Sequence, residues 1–346
     1  MKKRFLLVGI VSTVVIGLLM GGSIIANAKE KVITWKMQTV DPPGLMEYNA
    51  ISQHFTDTVR KLSNGRLDIK LFPPDGLVPT WGVWDAVQKN MIQISHHFLV
   101  YWAGKVPPLL IYNETIAGRD LEQGQIWAYE YGGKELSQKL LAKHGMYYLG
   151  KSISFPEHIW SKVPINRLAD LKGKKMRSVG PAAEMATALG ASVVGVPAGE
   201  IYSALERGVV ECAEYNPLIV NYKLGFHEVT KYIILPPFGY GGSYDWFVNM
   251  KAWQELPDDL KYIVEVAQLE TSYRYSLKVR LETQRVIRTL KSKGMIFITW
   301  PKEDFEKVEE VRYKNAKKQA IKDPEFKEIF DSQVSLLKEY GWEEPK

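Results

Sequence analysis

The chain carries one cysteine, Cys212, among 346 residues. A single thiol excludes an internal disulfide framework and any zinc or iron–sulfur site built on several cysteines, so stability has to come from packing. No Gly-x-Ser-x-Gly elbow, His-Glu-x-x-His helix or phosphate loop is present, which removes the sequence signals of serine hydrolases, zincins and nucleotide-binding enzymes. Gly239-Tyr240-Gly241-Gly242 is rich in glycine but does not open a helix after a strand, so it is no dinucleotide fingerprint. Surplus charge is small: 45 Lys and Arg against 39 Asp and Glu give +6, and Lys2, Lys3 and Arg4 account for three of these. That balance argues against a polybasic nucleic-acid binder.

Apolar residues are plentiful, at 46% of the chain with 24% charged, enough for a large core and too much for a disordered polypeptide. The length predicts two domains, or one unusually large one. At the start, three cations, the apolar run from Phe5 to Met20 and the tripeptide Ala26-Asn27-Ala28 follow one another in the order of a secretory signal peptide cleaved after Ala28. The exported product is then expected outside the cytoplasm, in the periplasm.

Two stretches alternate strand and helix. Lys31 to Gln38, Leu67 to Leu71 and Ile92 to Ser95 read as strands separated by helical patterns at Glu47 to Leu62 and Trp84 to Lys89. After Gly150 the same grammar returns, with strands at Lys174 to Val179, Ala191 to Val196 and Val209 to Ala213, and helices at Ala182 to Leu189 and Gly199 to Arg207. The pattern predicts an α/β fold with two largely parallel sheets. From Pro257 to Lys293 no glycine or later proline intervenes, and no heptad persists; at 1.5 Å per residue this is a helix of roughly 50 Å, suited to bridging two domains. Two charged helices follow, broken at Asp323-Pro324.

Arg177 ends a predicted strand just before a helix with Pro181 in its first turn. That placement brings a guanidinium and unpaired helix amides toward one anion, and the planar fork suits a carboxylate through two parallel hydrogen bonds. Trp81, Trp84, Tyr101, Trp102, Trp160, Tyr215 and the run Tyr244-Asp245-Trp246 fall at predicted loops or strand ends. Together they outline a cleft with large apolar walls and few polar groups. His96 and His97 alternate across a strand and cannot share one metal. Cys212, in an apolar strand, reads as a small core residue.

The run Leu171-Lys172-Gly173-Lys174-Lys175-Met176-Arg177, the stretch from Ile201 to Tyr215, Phe72-Pro73-Pro74-Asp75-Gly76, Tyr101-Trp102-Ala103-Gly104-Lys105, Leu224-Gly225-Phe226 and Trp253-Gln254-Glu255-Leu256-Pro257 resemble, in order and spacing, the solute-binding proteins of tripartite ATP-independent periplasmic (TRAP) transporters, the DctP family, and within it the branch binding 2-oxo acids and monocarboxylates. The resemblance implies a two-domain periplasmic-binding-protein fold with a hinge, a long bridging helix and C-terminal helices, an organic acid bound in the cleft, and delivery to a membrane permease. It places domain I at 29–154 plus 243–280 and domain II at 155–242 plus 281–346. Arg177 matches the arginine that grips the carboxylate, and Asn216 matches a polar residue that assists. Tyr215, Trp160, Tyr101, Trp102, Trp81, Asp245 and Trp246 complete the expected substrate site, with no catalytic residue and no enzymatic activity.

In that branch a bound cation helps hold the substrate through a glutamine and an acid, where this chain has Pro156 and Gly241. Losing those oxygen ligands predicts no cofactor and a metal-free site, with Glu157, Glu214 and Asp245 as the available replacements. Expected partners are a small carboxylate and permease subunits, with no nucleic acid, for a monomer or homodimer. An exported enzyme acting on an acid, or a sensor using the same cleft, is the alternative.

Overall fold

A computed structural model describes residues 31–112, 116, 121–152, 156–239 and 244–345. The expected signal peptide, the domain boundaries at 154/155 and 242/243, and Gly241 lie outside the described residues. The strands are β1 (Ile33–Thr39), β2 (Leu67–Phe72), β3 (Ile94–Phe98), β4 (Met146–Lys151), β5 (Glu157–Ser161), β6 (Lys175–Arg177), β7 (Ser192–Val194), β8 (Cys212–Pro217), β9 (Tyr232–Leu235), β10 (Tyr244–Asn249) and β11 (Ile296–Thr299). The α-helices are α1 (His54–Leu62), α2 (Val83–Gln88), α3 (Leu121–Glu130), α4 (Gly133–Ala142), α5 (Gly180–Ala188), α6 (Ile201–Glu206), α7 (Leu218–Lys223), α8 (Phe226–Val229), α9 (Met250–Gln254), α10 (Asp258–Ser292), α11 (Lys302–Lys322) and α12 (Pro324–Glu339).

Two sheets form the α/β fold. The first has the order β2-β1-β3-β10-β4 and the second β11-β9-β5-β8-β6-β7. Parallel pairing holds for β1 with β3 and for β6 with β7 and β8. The expectation of largely parallel sheets needs correction at their centres. Strand β10 runs antiparallel to both β3 and β4, and β5 antiparallel to both β8 and β9. Each of these strands enters its sheet just after the chain has come from the other sheet, so its direction is set by a crossover that local periodicity does not encode.

The long helix α10 occupies 258–292, within one residue at each end of the predicted span. Asp258 and Asp259 stand in its first turn, where the helix dipole favours negative charge. It leaves the first sheet after β10 and α9 and delivers the chain to β11 in the second, which makes it the bridge the sequence suggests. Among the described residues no helix is long and apolar enough to cross a membrane.

Two cores sit beside the sheets. One gathers Trp84, Trp102, Trp127, Tyr148 and Phe247; the other gathers Ile159, Leu171, Met176, Met185 and Phe238. Helix α11 begins in the second core through Val308 and continues into the first through Tyr313, Ala316 and Ala320. Helix α12 packs wholly on the first core through Phe326, Ile329, Phe330 and Leu337. Helix α12, expected in the second domain with the rest of 281–346, thus packs on the first core. An amphipathic face reveals that a helix will be buried, not which of two cores will bury it.

Candidate functional site

Arg177 is the last residue of β6, with Val194 and Ala213 as its neighbours across the ladder. Its side chain is drawn under the end of β8: Nε donates to the Val196 carbonyl at 3.1 Å, Nη1 donates to the Glu214 carbonyl at 2.9 Å, and Cζ lies 5.1 Å from the centre of the Tyr215 ring. The residue is 4% exposed, and desolvation lowers its pKa, opposed by Glu214, Tyr215 and Glu157. Arginine remains charged under such pressure, so the guanidinium is a buried cation. Two neutral carbonyls orient it without neutralising it, and the second terminal nitrogen makes no hydrogen bond among the described residues. Helix α5 opens three residues later with Pro181 in its first turn and no side-chain cap on its amides.

Two carboxylates stand close by. Glu214 Oε2 accepts a hydrogen bond from Ser178 Oγ at 3.0 Å. Glu157 pairs through its backbone with Gly239, its N–H donating to the Gly239 carbonyl at 2.8 Å. Around Gly239 the two acids converge: a Cβ placed there would lie 3.3 Å from Glu157 Oε2 and 3.9 Å from Glu214 Oε1. Among the described residues no group of three or more His, Cys, Asp or Glu side chains is placed to share a metal ion. Asp245, the third replacement acid, lies elsewhere, buried in the first sheet and accepting from the Tyr148 hydroxyl at 2.8 Å.

Trp160 is central in β5, between Ala213 and Ile233, and fully buried. Its ring meets Phe226 edge-on at 6.1 Å, and its indole N–H is buried without a hydrogen-bond partner. Asn216 is half-buried next to Tyr215. The carbonyls of both are held by Asn221 Nδ2, at 2.7 Å and 2.8 Å. Asn221, Ser178 and Gly239 thus shape the site without having been read from the sequence. The one available signal was a lone polar residue, Asn221, in the apolar run Leu218 to Tyr222.

The first sheet contributes fewer of the expected residues. Tyr101 is 37% exposed and packs on Trp81 at 4.8 Å and on Phe98 at 5.6 Å. Burial, then Tyr215, then Asp41 hold its phenol above the usual range. Trp81 is exposed beside it. Trp102 and Trp246, expected in the cleft, are buried. Trp102 donates from Nε1 to the Trp81 carbonyl at 3.0 Å and packs on Trp84 and Phe247. Trp246 donates to Ser152 Oγ at 3.0 Å, wedged between Phe55 and His96. The buried His97, whose pKa burial brings down to about 3, accepts the Phe98 N–H on Nδ1 at 2.9 Å. Cys212 is a core residue whose thiol burial pushes up to about 12.

Residues 37–323 match the family described as bacterial extracellular solute-binding protein, family 7 (DctP). The chain is 27% identical over 319 residues to the monocarboxylate 2-oxoacid-binding periplasmic protein of Nostoc sp. (strain PCC 7120 / SAG 25.82 / UTEX 2576), covering 90% of this chain and 86% of that protein. It superposes with a TM-score of 0.79 and 26% identity on a TRAP periplasmic solute binding protein from Rhodobacter sphaeroides in an apo open structure, covering 89% of this chain and 98% of the other. A TRAP periplasmic solute binding protein from Colwellia psychrerythraea, solved with bound calcium and pyruvate, gives a TM-score of 0.77 and 27% identity over 88% of this chain and 94% of that one.

Proposed function

The chain belongs to the bacterial extracellular solute-binding proteins of family 7, and from that membership we propose that it is the periplasmic receptor of a TRAP transporter, closing on an organic acid between its two sheets and handing it to the membrane permease. The observation that carries this reading is the Arg177 guanidinium, buried, oriented by the Val196 and Glu214 carbonyls, backed by Tyr215 and left with donors to give. A desolvated cation is costly until an anion meets it, and a carboxylate fits its fork. Asn216 and Tyr215 border the same strand end, Trp160 lies in the paired strand β5, and we take Tyr101 with Trp81 as the facing wall. The two bodies are each sheet with the helices packed on it, and ligand binds the closed arrangement better than the open one, which shifts the population. The chain operates after removal of residues 1–28, binds no nucleic acid, and returns its ligand unchanged.

The donors of this site are compatible with a cation. Glu157 and Glu214 would hold it at the space beside Gly239, which a Cβ would fill. A divalent ion there would take ligand oxygens and carbonyls alongside the two acids.

Isothermal titration with pyruvate and other short 2-oxo acids tests the reading. Arg177→Ala is expected to lose about 2–5 kcal/mol of binding, as truncating one half of a desolvated charge pair does; normal binding by that variant would overturn the assignment. Mass spectrometry of the incubated acids separates a receptor from an enzyme, because turnover would change the mass of the ligand.

A further inference from the structure

Helix α11 crosses from one core to the other, and the residue at the crossing is an arginine that no motif announced. Val308 lies in the second core and Tyr313 in the first, with Arg312 between them. Arg312 is 3% exposed. Its Nε donates to Glu309 Oε1, one turn back on the same helix, at 3.4 Å, and its Nη2 donates to the Phe238 carbonyl at 2.6 Å. A guanidinium stays charged when buried, and a hydrogen bond from a charged donor is about twice as strong as a neutral one. The contact is a firm tie between α11 and the chain just beyond β9.

The tied segment is a wall of the acid site. The Phe238 N–H donates to the Glu157 carbonyl at 2.8 Å, and the Glu157 N–H donates to the Gly239 carbonyl at 2.8 Å. The peptide between Phe238 and Gly239 is thereby pinned to β5 on one side and to Arg312 on the other. Gly239 faces both acids of the site, since a Cβ there would lie 3.3 Å from Glu157 Oε2 and 3.9 Å from Glu214 Oε1. Hydrogen bonds run from Arg312 through Phe238 to β5, across the ladder to β8, where Ile159 stands opposite Glu214, and from the Glu214 carbonyl to Arg177 Nη1.

The crossing itself is not filled. A cavity of about 180 Å³ lies against Arg312, lined by Leu110, Ala316 and Phe326 on the side of the first core and by Pro181 and Met185 of α5 on the other. Interiors normally keep few voids larger than a water molecule, so α11 has room to shift here against α5, which opens shortly after Arg177. We infer that Arg312 is a positioning residue for the acid site: it fixes the Phe238–Gly239 peptide beside Glu157 and Glu214, and through that tie a shift of α11 at the crossing reaches the site. This rests on the reading that Arg177 takes the carboxylate. Arg312 acts through the peptide and not by touching the ligand; without its donor the carbonyl of the buried Phe238 is left unmatched, which favours a relaxed peptide.

The test is isothermal titration of pyruvate and of straight-chain 2-oxo acids of four to six carbons into the full exported chain and its variants. Arg312→Met, which keeps the bulk without a donor, is expected to weaken the best-bound acid about fivefold or more, and Arg312→Lys, which keeps a charged donor, to restore most of the loss. Ile329→Ala, in the first core on α12, is expected to lower the urea midpoint and leave affinity unchanged, which separates positioning from lost stability. Hydrogen exchange on the unaltered protein needs no variant to fold: saturating acid is expected to slow the amides of 308–316 together with those of 232–239. Unchanged affinity in Arg312→Met, an equal loss in Arg312→Lys or in Ile329→Ala, or unaltered exchange in 308–316 would overturn the inference and, with Arg177→Ala still weakened, leave the carboxylate reading in place. No binding of any acid in the series, or full binding by Arg177→Ala, would instead overturn the carboxylate reading, and the inference with it.

Discussion

Arg177 is fixed in place by groups that carry no negative charge toward it, two backbone carbonyls and the face of Tyr215. Such a guanidinium is preorganised, so little side-chain freedom remains to be lost when an acid arrives. The Tyr215 ring contributes through a cation–π contact, and Tyr215→Leu is expected to weaken acid binding by about 0.5–2 kcal/mol, read by titration beside Arg177→Ala. Histidines set a different behaviour. His97 is brought down to about 3, by burial first and His96 second, and His158 to about 4 by burial. Their unfolded values stand near 6.5, so below that pH the unfolded chain takes up protons that the folded chain refuses. The stability they contribute is present in full above 6.5 and is lost as pH falls toward 4 and then 3. Glu47 acts in the opposite sense: burial raises it above 4.5, so stability declines as pH rises from there to its folded value. Urea midpoints are expected to fall between pH 7 and pH 5, and His97→Gln with His158→Gln to flatten the slope. An unchanged slope in that double variant would remove these two residues as its cause.

Helix α10 is seated on β4 by a close approach at Gly150. A Cβ there would come within 2.5 Å of Gln268 Oε1 and 2.7 Å of the Tyr129 hydroxyl, at a φ of +156° that side chains disfavour. Gln268 Nε2 donates to the Lys151 carbonyl at 3.2 Å and to Ser272 Oγ at 2.9 Å, and the Tyr129 hydroxyl donates to the Lys151 carbonyl at 3.1 Å. Gly150→Ala is therefore expected to cost about 2–3 kcal/mol through overpacking, measured by urea denaturation. Gly145→Ala, where a Cβ meets nothing within 4 Å but φ is +71°, is expected to cost only about 1–2 kcal/mol from the left-handed backbone. Elements of this kind differ in how far local sequence reveals them. The long helix was legible because its residues lack glycine and proline and its first turn is acidic. The short β5 and β10 were not, since five or six residues of mixed character become strands only through the partners on both sides of them.

Across the whole molecule the chain passes between the sheets after β4, after β9 and along α10, and α11 then runs from one core into the other. Several connections constrain the relative motion of two bodies toward opening and closing more tightly than one would. Small-angle scattering is expected to show a smaller radius of gyration at saturating acid, with no change for Arg177→Ala at the same concentration. A wild-type radius insensitive to bound ligand would exclude closure. The α/β elements, the long helix, the interruption at Asp323-Pro324 and a strand-ending Arg177 were determined by the sequence itself, because caps, periodicity and turn residues act on neighbours along the chain. Tertiary structure alone decided that Trp102 and Trp246 fill the interior, that α12 packs on the first core, and that Glu157 and Glu214 meet beside Gly239. Those outcomes depend on the register and crossing of segments far apart in sequence, where burial and pairing are shared among partners and leave no pattern in any one segment.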